Sequence, residues 1–160
     1  MSRELHYCWD MTTVRELSAN DKSAWLPLWR GYIEFYEATI PETQSELTWT
    51  RLLDSGFNSY GLVAEVDGKV CGLVHYSFQT STWSPINYCY LEDLFVDPAI
   101  RGKGVGRALI DAVHEIALQA GSSRLYWNTD ATNETARKLY DSYTKESGKV
   151  QYRIALTSHE

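Results

Sequence analysis

Only three cysteines occur in the 160 residues, Cys8, Cys71 and Cys89. Their number is odd and no C-x-x-C pair is present, which argues against both a disulfide framework and a structural zinc. Proline is also scarce, at four residues, and no Pro/Gly/Ser-rich linker, internal repeat or low-complexity tract marks a domain boundary. No stretch approaches the roughly 18 uninterrupted apolar residues of a membrane helix, so no membrane partner is expected. The first ten residues, with His6, Trp9 and Asp10, lack the apolar core of a secretory signal, which makes a reducing cytoplasm the expected location. Positive charge is in deficit: 15 Lys+Arg stand against 21 Asp+Glu, a formal net charge of −6. Such a field repels phosphate polymers and attracts cations, so nucleic acid is not an expected partner.

What is present fits a globular α/β chain. With 44% hydrophobic and 22% charged residues, the composition excludes a disordered tail, and the length corresponds to one domain, expected to span 1–160. Six Trp and 11 Tyr exceed what such a core usually needs and suggest a lined pocket. A strand is predicted over Thr12 to Leu17. Ser18, Asn20 and Asp21 then offer helix caps before Trp25, Leu28, Trp29, Tyr32, Phe35 and Tyr36 recur at helical spacing. A second helix is predicted from Thr43 to Leu53, between Pro41 and Gly56. Tyr60–Val66 and Val70–Phe78 read as a hairpin joined by Asp67-Gly68, a pair that favours a type I′ turn. Asn87–Val96 is apolar on both alternations, as a doubly covered central strand would be. A helix is predicted from Gly104 to Ala120, a strand over Arg124–Trp127, a last helix capped by Thr132, and a final strand over Val150–Leu156. The order β-α-α-β-β-β-α-β-α-β implies a central mixed, mostly antiparallel sheet with helices on both faces.

Chemistry concentrates between Val96 and Arg107, where a buried strand turns into a helix through Arg101-Gly102-Lys103-Gly104-Val105-Gly106-Arg107. The first amides of a helix lack internal acceptors, glycine lets them approach a ligand, and the helix dipole adds partial positive charge, so the turn suits an anion. Arg101, Lys103 and Arg107 strengthen that field. A P-loop would need Gly where Asp97 stands and Ser or Thr where Gly104 stands. A dinucleotide fingerprint would need Gly or Ala at Arg107. What remains is Arg101-x-x-Gly104-x-Gly106.

With that pattern the chain resembles the GNAT superfamily of acetyl-CoA-dependent N-acetyltransferases, whose pyrophosphate loop reads Q/R-x-x-G-x-G/A. The resemblance extends to the order of elements. Tyr90-Leu91-Glu92-Asp93-Leu94-Phe95-Val96 is similar to the fourth strand of the diamine acetyltransferases, and Tyr126-Trp127-Asn128-Thr129-Asp130 with Asn133, Ala136, Leu139 and Tyr140 is similar to the yeast histone and D-amino-acid acetyltransferase branch. The resemblance implies acetyl-CoA as cofactor, held by the strand residues Leu94, Phe95 and Val96, the amides from Arg101 to Arg107, and Asn133, Ala136 and Tyr140. Homodimers are common in the resembled branch, which makes a homodimer an expectation by resemblance. Relatives commonly carry Gly-Tyr or Gly-Phe shortly after the last helix; this chain has Asp141-Ser142-Tyr143-Thr144-Lys145 there.

Acetyl transfer requires a neutral amine, yet an amine of pKa about 10.4 is unprotonated only about once in 2,500 molecules at pH 7. A base is therefore needed, and an acid for the departing thiolate. Glu92, in a strand lined by Tyr90, Leu94 and Phe95, is the candidate base, directly or through water. Tyr140 reads from spacing as a core tyrosine, and the resemblance makes it the thiol-facing acid. Asp93, on the opposite face, is by resemblance a counter-charge for a cationic amine; for both carboxylates the alternative is a structural group satisfied by a backbone or Arg partner. Tyr36 and Trp83 are candidate acceptor contacts, Trp83 because its loop, Gln79 to Asn87, lies where family members admit the acceptor. His75 reads as structural, with a second base as the alternative. Cys71 and Cys89 read as core residues. No metal site is expected, because His114-Glu115 is followed by Leu118 where a zinc helix needs its second histidine. The expected activity is N-acetylation of a primary amine on a polyamine, amino acid or lysine side chain, by direct attack in a ternary complex. Two rivals are a non-catalytic acyl-CoA-binding sensor and an interaction module that docks a partner through its aromatic helix.

Overall fold

The computed structural model describes residues 12–156; His6, Cys8, Trp9 and Asp10 lie outside them. The described chain forms two compact units, one ending at Trp127 and one beginning at Asn128. In the first, strands β1 (Thr12–Glu16), β2 (Tyr60–Val66), β3 (Lys69–Gln79), β4 (Tyr88–Val96) and β5 (Arg124–Tyr126) make one sheet in the order β1-β2-β3-β4-β5. The first four strands pair antiparallel and β5 joins β4 in parallel, as the alternation of hairpins and helical crossovers requires. The β2–β3 turn has positive φ at both Asp67 and Gly68, the signature of the expected type I′ geometry.

Helices α1 (Lys22–Phe35) and α2 (Glu42–Leu53) cover one face of this sheet. Their apolar rows meet β3 and β4 in a core of Trp25, Leu28, Trp29, Trp49, Leu52, Leu73 and Phe95. Part of the aromatic content is thus interior: Trp25 stacks on Trp29 at 5.6 Å, and Trp29 on Tyr32 at 5.6 Å. Helix α1 is started by a charged cluster. Asp21 accepts two hydrogen bonds from Ser18, through its amide at 2.8 Å and its hydroxyl at 2.9 Å, and a bidentate pair from Arg15 at 2.7 Å each. Helix α3 (Val105–Gln119) covers the other face, burying Val105, Leu109, Ile110, Val113 and Ala117; Gly72 on β3 faces Val105 and Leu109 closely. Cys71 and Cys89 are free and buried.

The second unit contains α4 (Glu134–Tyr140). Its cap is Asn133 rather than Thr132, because Asn133 Oδ1 accepts the amide of Ala136 at 3.3 Å. The expected strand over Val150–Leu156 does not form: this segment is irregular, and Val150, Tyr152, Ile154 and Leu156 are 74 to 91% exposed. Their period-2 alternation is a strand pattern, but a strand needs a paired neighbour, and β5 is the last strand of the sheet among the described residues.

Candidate functional site

The site begins with an irregularity in β4. Opposite β3, His75 pairs with Asp93 and Tyr76 with Leu91, so Glu92 has no residue across from it. An extra residue of this kind bends a strand and re-aims its side chains. Glu92 is exposed, yet protein packed around its carboxyl, aided by the neighbouring Asp93 charge and opposed by His75, pushes its pKa above the ordinary glutamate range. Asp93 is held firmly. Its Oδ2 lies 2.9 Å from Nδ1 of His75, and its charge also acts on the phenol of Tyr32 on α1. Burial, and then Asp93, raise the Tyr32 phenol well above the usual tyrosine range, keeping it a donor. The side chain of His75 is almost fully buried, with Trp25 Nε1 at 3.0 Å from its Nε2.

The second feature is a gap beside β4. Strand β5 pairs with it only through Tyr88, Cys89 and Tyr90, so from Leu91 to Val96 one backbone edge of β4 has no β5 partner. Leu94, Phe95 and Val96 lie on that stretch. An elongated ligand with amide groups can pair with such an edge as another strand would.

The strand then enters the glycine turn. Asp97 Oδ1 accepts the Ala99 amide at 2.9 Å and its amide donates to Cys71 O at 2.8 Å, which anchors the turn to β3. Gly102 and Gly104 both adopt left-handed backbone, φ 81° and 80°, and a Cβ built on either meets nothing within 4 Å. The space beside the turn is therefore open, and α3 starts there. Its first internal bond runs from Ala108 to Gly104 O, so the amides of Val105 and Gly106 have no acceptor inside the helix. With Lys103 and Arg107 adjacent, these residues fit a diphosphate. Arg101 is turned back: its Nε donates to Val96 O at 3.1 Å and its guanidinium lies over the rings of Phe95 and Phe35. That contact occupies one carbonyl on the open edge of β4.

The family model described as Acetyltransferase (GNAT) family matches residues 25–143. The chain belongs to the GNAT family. Its D-amino-acid N-acetyltransferase HPA3 relative from Saccharomyces cerevisiae is 32% identical over 146 residues, covering 90% of this chain and 91% of the relative. The mouse thialysine N-epsilon-acetyltransferase is 32% identical over 160 residues, covering 89% and 92%. A solved structure of AAC(6')-Iy in complex with a bisubstrate analog, CoA-S-monomethyl-acetylneamine, superposes with TM-score 0.79 at 19% identity, covering 91% of this chain and 99% of that one. This GNAT chain is thus an acetyl-CoA-dependent acetyltransferase with the mixed sheet expected from its sequence.

Other expected site residues of the GNAT chain are distributed unevenly. Tyr36 caps α1, 39% exposed, with its ring 5.0 Å from that of Tyr32. Trp83 is 92% exposed in the β3–β4 loop, which Ser84 ties to Ser123 at 2.9 Å beside the start of β5. That places it before the first residue of β4, whereas the carboxylates and the glycine turn lie in its second half and beyond. A cavity of about 670 Å³ sits at the same end, lined by Phe57, Asn58, Tyr60, Phe78 and Ile86 among others; none of the acetyl-transfer candidates lines it. In the second unit, Asn133 uses its side chain to cap α4 and to donate to Thr129 Oγ1 at 3.3 Å. Ala136 lies one turn before Tyr140, the half-buried last residue of α4. Sequence reasoning missed the Trp25–His75–Asp93 network. The helical spacing of Trp25 shows only which face it shares, and the pairing of His75 with Asp93 depends on the β3–β4 register.

Proposed function

We propose that the protein acetylates the primary amine of a small cationic acceptor, a polyamine or an amino acid, by direct attack on the thioester of acetyl-CoA. The observation that carries this reading is the adjacent pair on β4: Glu92, exposed and with a raised pKa, beside Asp93, held by His75 at 2.9 Å. The amine arrives as an ammonium, attracted by Asp93 and by the protein's net negative charge. Glu92, as carboxylate, takes a proton from nitrogen, directly or through water. The freed lone pair attacks the acetyl carbonyl carbon and the N–C bond forms; as the C–S bond breaks, Tyr140 donates the proton that the departing sulfur requires, the second proton lost by nitrogen restores the Tyr140 phenol, and the first leaves Glu92 for solvent. The products are the N-acetylamine and free coenzyme A. Bound acetyl-CoA supplies the activated acetyl group. Leu94, Phe95 and Val96 on the open edge of β4, the turn from Arg101 to Arg107, and Asn133 and Ala136 are its proposed contacts, with Tyr36 and Trp83 on the acceptor side. The names of the relatives, a D-amino-acid and a thialysine acetyltransferase, support a small amine over a protein-borne lysine.

This reading takes residues 1–160 as one catalytic domain in a reducing cytoplasm, which suits the free thiols of Cys71 and Cys89. It also takes the enzyme as a homodimer, supported by the apolar row that one chain leaves exposed at Val150, Tyr152, Ile154 and Leu156. The deciding experiment presents purified protein and acetyl-CoA with polyamines, D- and L-amino acids and a lysine peptide, and follows release of free thiol. Turnover on a small cationic amine is expected. No thiol above background with any amine, together with calorimetric binding of acetyl-CoA, would instead identify an acyl-CoA-binding module.

A further inference from the structure

The proton on His75 can be located from its partners. An indole N–H donates and cannot accept, and that of Trp25 lies 3.0 Å from Nε2 of His75. Nε2 therefore accepts and carries no hydrogen. The ring proton of the neutral imidazole is on Nδ1, 2.9 Å from Oδ2 of Asp93, and is donated to it. The donors form a directed chain from indole to imidazole to carboxylate, beginning at Trp25, which is fully buried, and ending at Asp93, whose side chain is 15% exposed.

The direction of this chain separates it from a merely satisfied core histidine. In the other neutral tautomer the Trp25 N–H would lose its acceptor inside the core, and the Nδ1 lone pair would face those of Asp93. The imidazole thus fixes the carboxylate of Asp93, whose side chain keeps 15% of its surface exposed.

We propose that Trp25 and His75 are positioning residues that hold the carboxylate of Asp93 in place, and that this carboxylate selects acceptors arriving as ammonium ions over neutral amines. The inference rests on the acceptor role given to Asp93 under the proposed function. Asp93 captures the cation, and Glu92, one residue earlier on the bulged strand, removes its proton.

Two measurements test it. Long-range proton–nitrogen NMR on uniformly ¹⁵N-labelled protein, with the His75 signals identified by their loss in His75→Asn, is expected to show hydrogen on Nδ1; hydrogen on Nε2 overturns the proposal whatever the activity. Steady-state kinetics then compare 1,4-diaminobutane, a dication at neutral pH, with aniline, which is uncharged. Trp25→Phe keeps a ring and removes the donor; His75→Asn, already made for the NMR comparison, guards against a Trp25 variant that fails to fold. Each is expected to raise KM for the diamine about tenfold, the scale of a lost hydrogen bond to a charged group, with a smaller effect on kcat and no matching rise for aniline. An equal KM change for both amines, or none for either, would mean a packing role only and would overturn the proposal. If the unsubstituted enzyme acetylates aniline but no amine of the earlier panel, or none at all, the acceptor role of Asp93 fails first, and the NMR result shows separately whether the donor chain was read correctly.

Discussion

Glu92 occupies the one position of β4 that has no residue opposite it on β3, and its carboxyl is harder to ionise than an ordinary glutamate. As a base it works only when ionised. The acid limb of kcat/KM should therefore fall away at a pH above the ordinary glutamate value of about 4.3, and activity should rise with pH through that limb. Glu92→Gln should lower kcat/KM at neutral pH by about 100-fold and erase the limb, as read from a pH series with saturating acetyl-CoA. Tyr140 belongs to the other end of the reaction. Tyr140→Phe removes one hydroxyl and should lower kcat about 100-fold, measured by thiol release, if the phenol delivers the sulfur's proton. Both residues were legible as candidates because carboxylate and phenol chemistry is written in residue identity. The support of Asp93 was not, because a hydrogen bond between residues 18 apart, completed by an indole 50 residues from the imidazole, leaves no local trace.

Elements carry the next level. The turn into α3 is held open by left-handed glycine, and Gly104→Ala would force that conformation on a side chain at a cost of about 1–3 kcal/mol. The new methyl would also stand in the open space beside the first helical amides. Calorimetry should show acetyl-CoA affinity reduced at least about tenfold, with melting lowered by several degrees. The start of α1 depends on Asp21, whose pKa the Arg15 guanidinium, with help from Ser18, holds down to about 2 against an unperturbed 3.8. A depressed acid stabilises the fold above its unfolded pKa and loses that contribution as pH falls through its folded pKa. Asp21→Asn should thus cost on the order of 2 kcal/mol at pH 7, with the difference from the parent vanishing between about pH 4 and pH 2 in denaturant titrations. The helices, the hairpin and the glycine turn were readable because 3.6- and 2-residue periods and turn chemistry are local. The bulge at Glu92 and the early parting of β4 from β5 were not, since register belongs to two strands at once and neither sequence announces it.

The whole molecule leaves one hydrophobic row unaccounted for. Val150, Tyr152, Ile154 and Leu156 alternate as a strand would and stand exposed, so the expected final strand failed for want of a partner rather than of pattern. Association of two chains is the expected remedy, and sedimentation should find a dimer of the 18.3 kDa chain; Tyr152→Glu with Ile154→Glu should shift it to monomer. A monomer in the unsubstituted protein would remove the support for the dimer without touching the chemistry on β4.

Strand β4 keeps company with β5 for only three residues, while its other edge stays laced to β3 as far as Val96. Its far half is thus a weave with one unfinished selvedge. A cosubstrate lying along that seam would serve as temporary architecture, lending its own amides to the sheet for the length of a turnover.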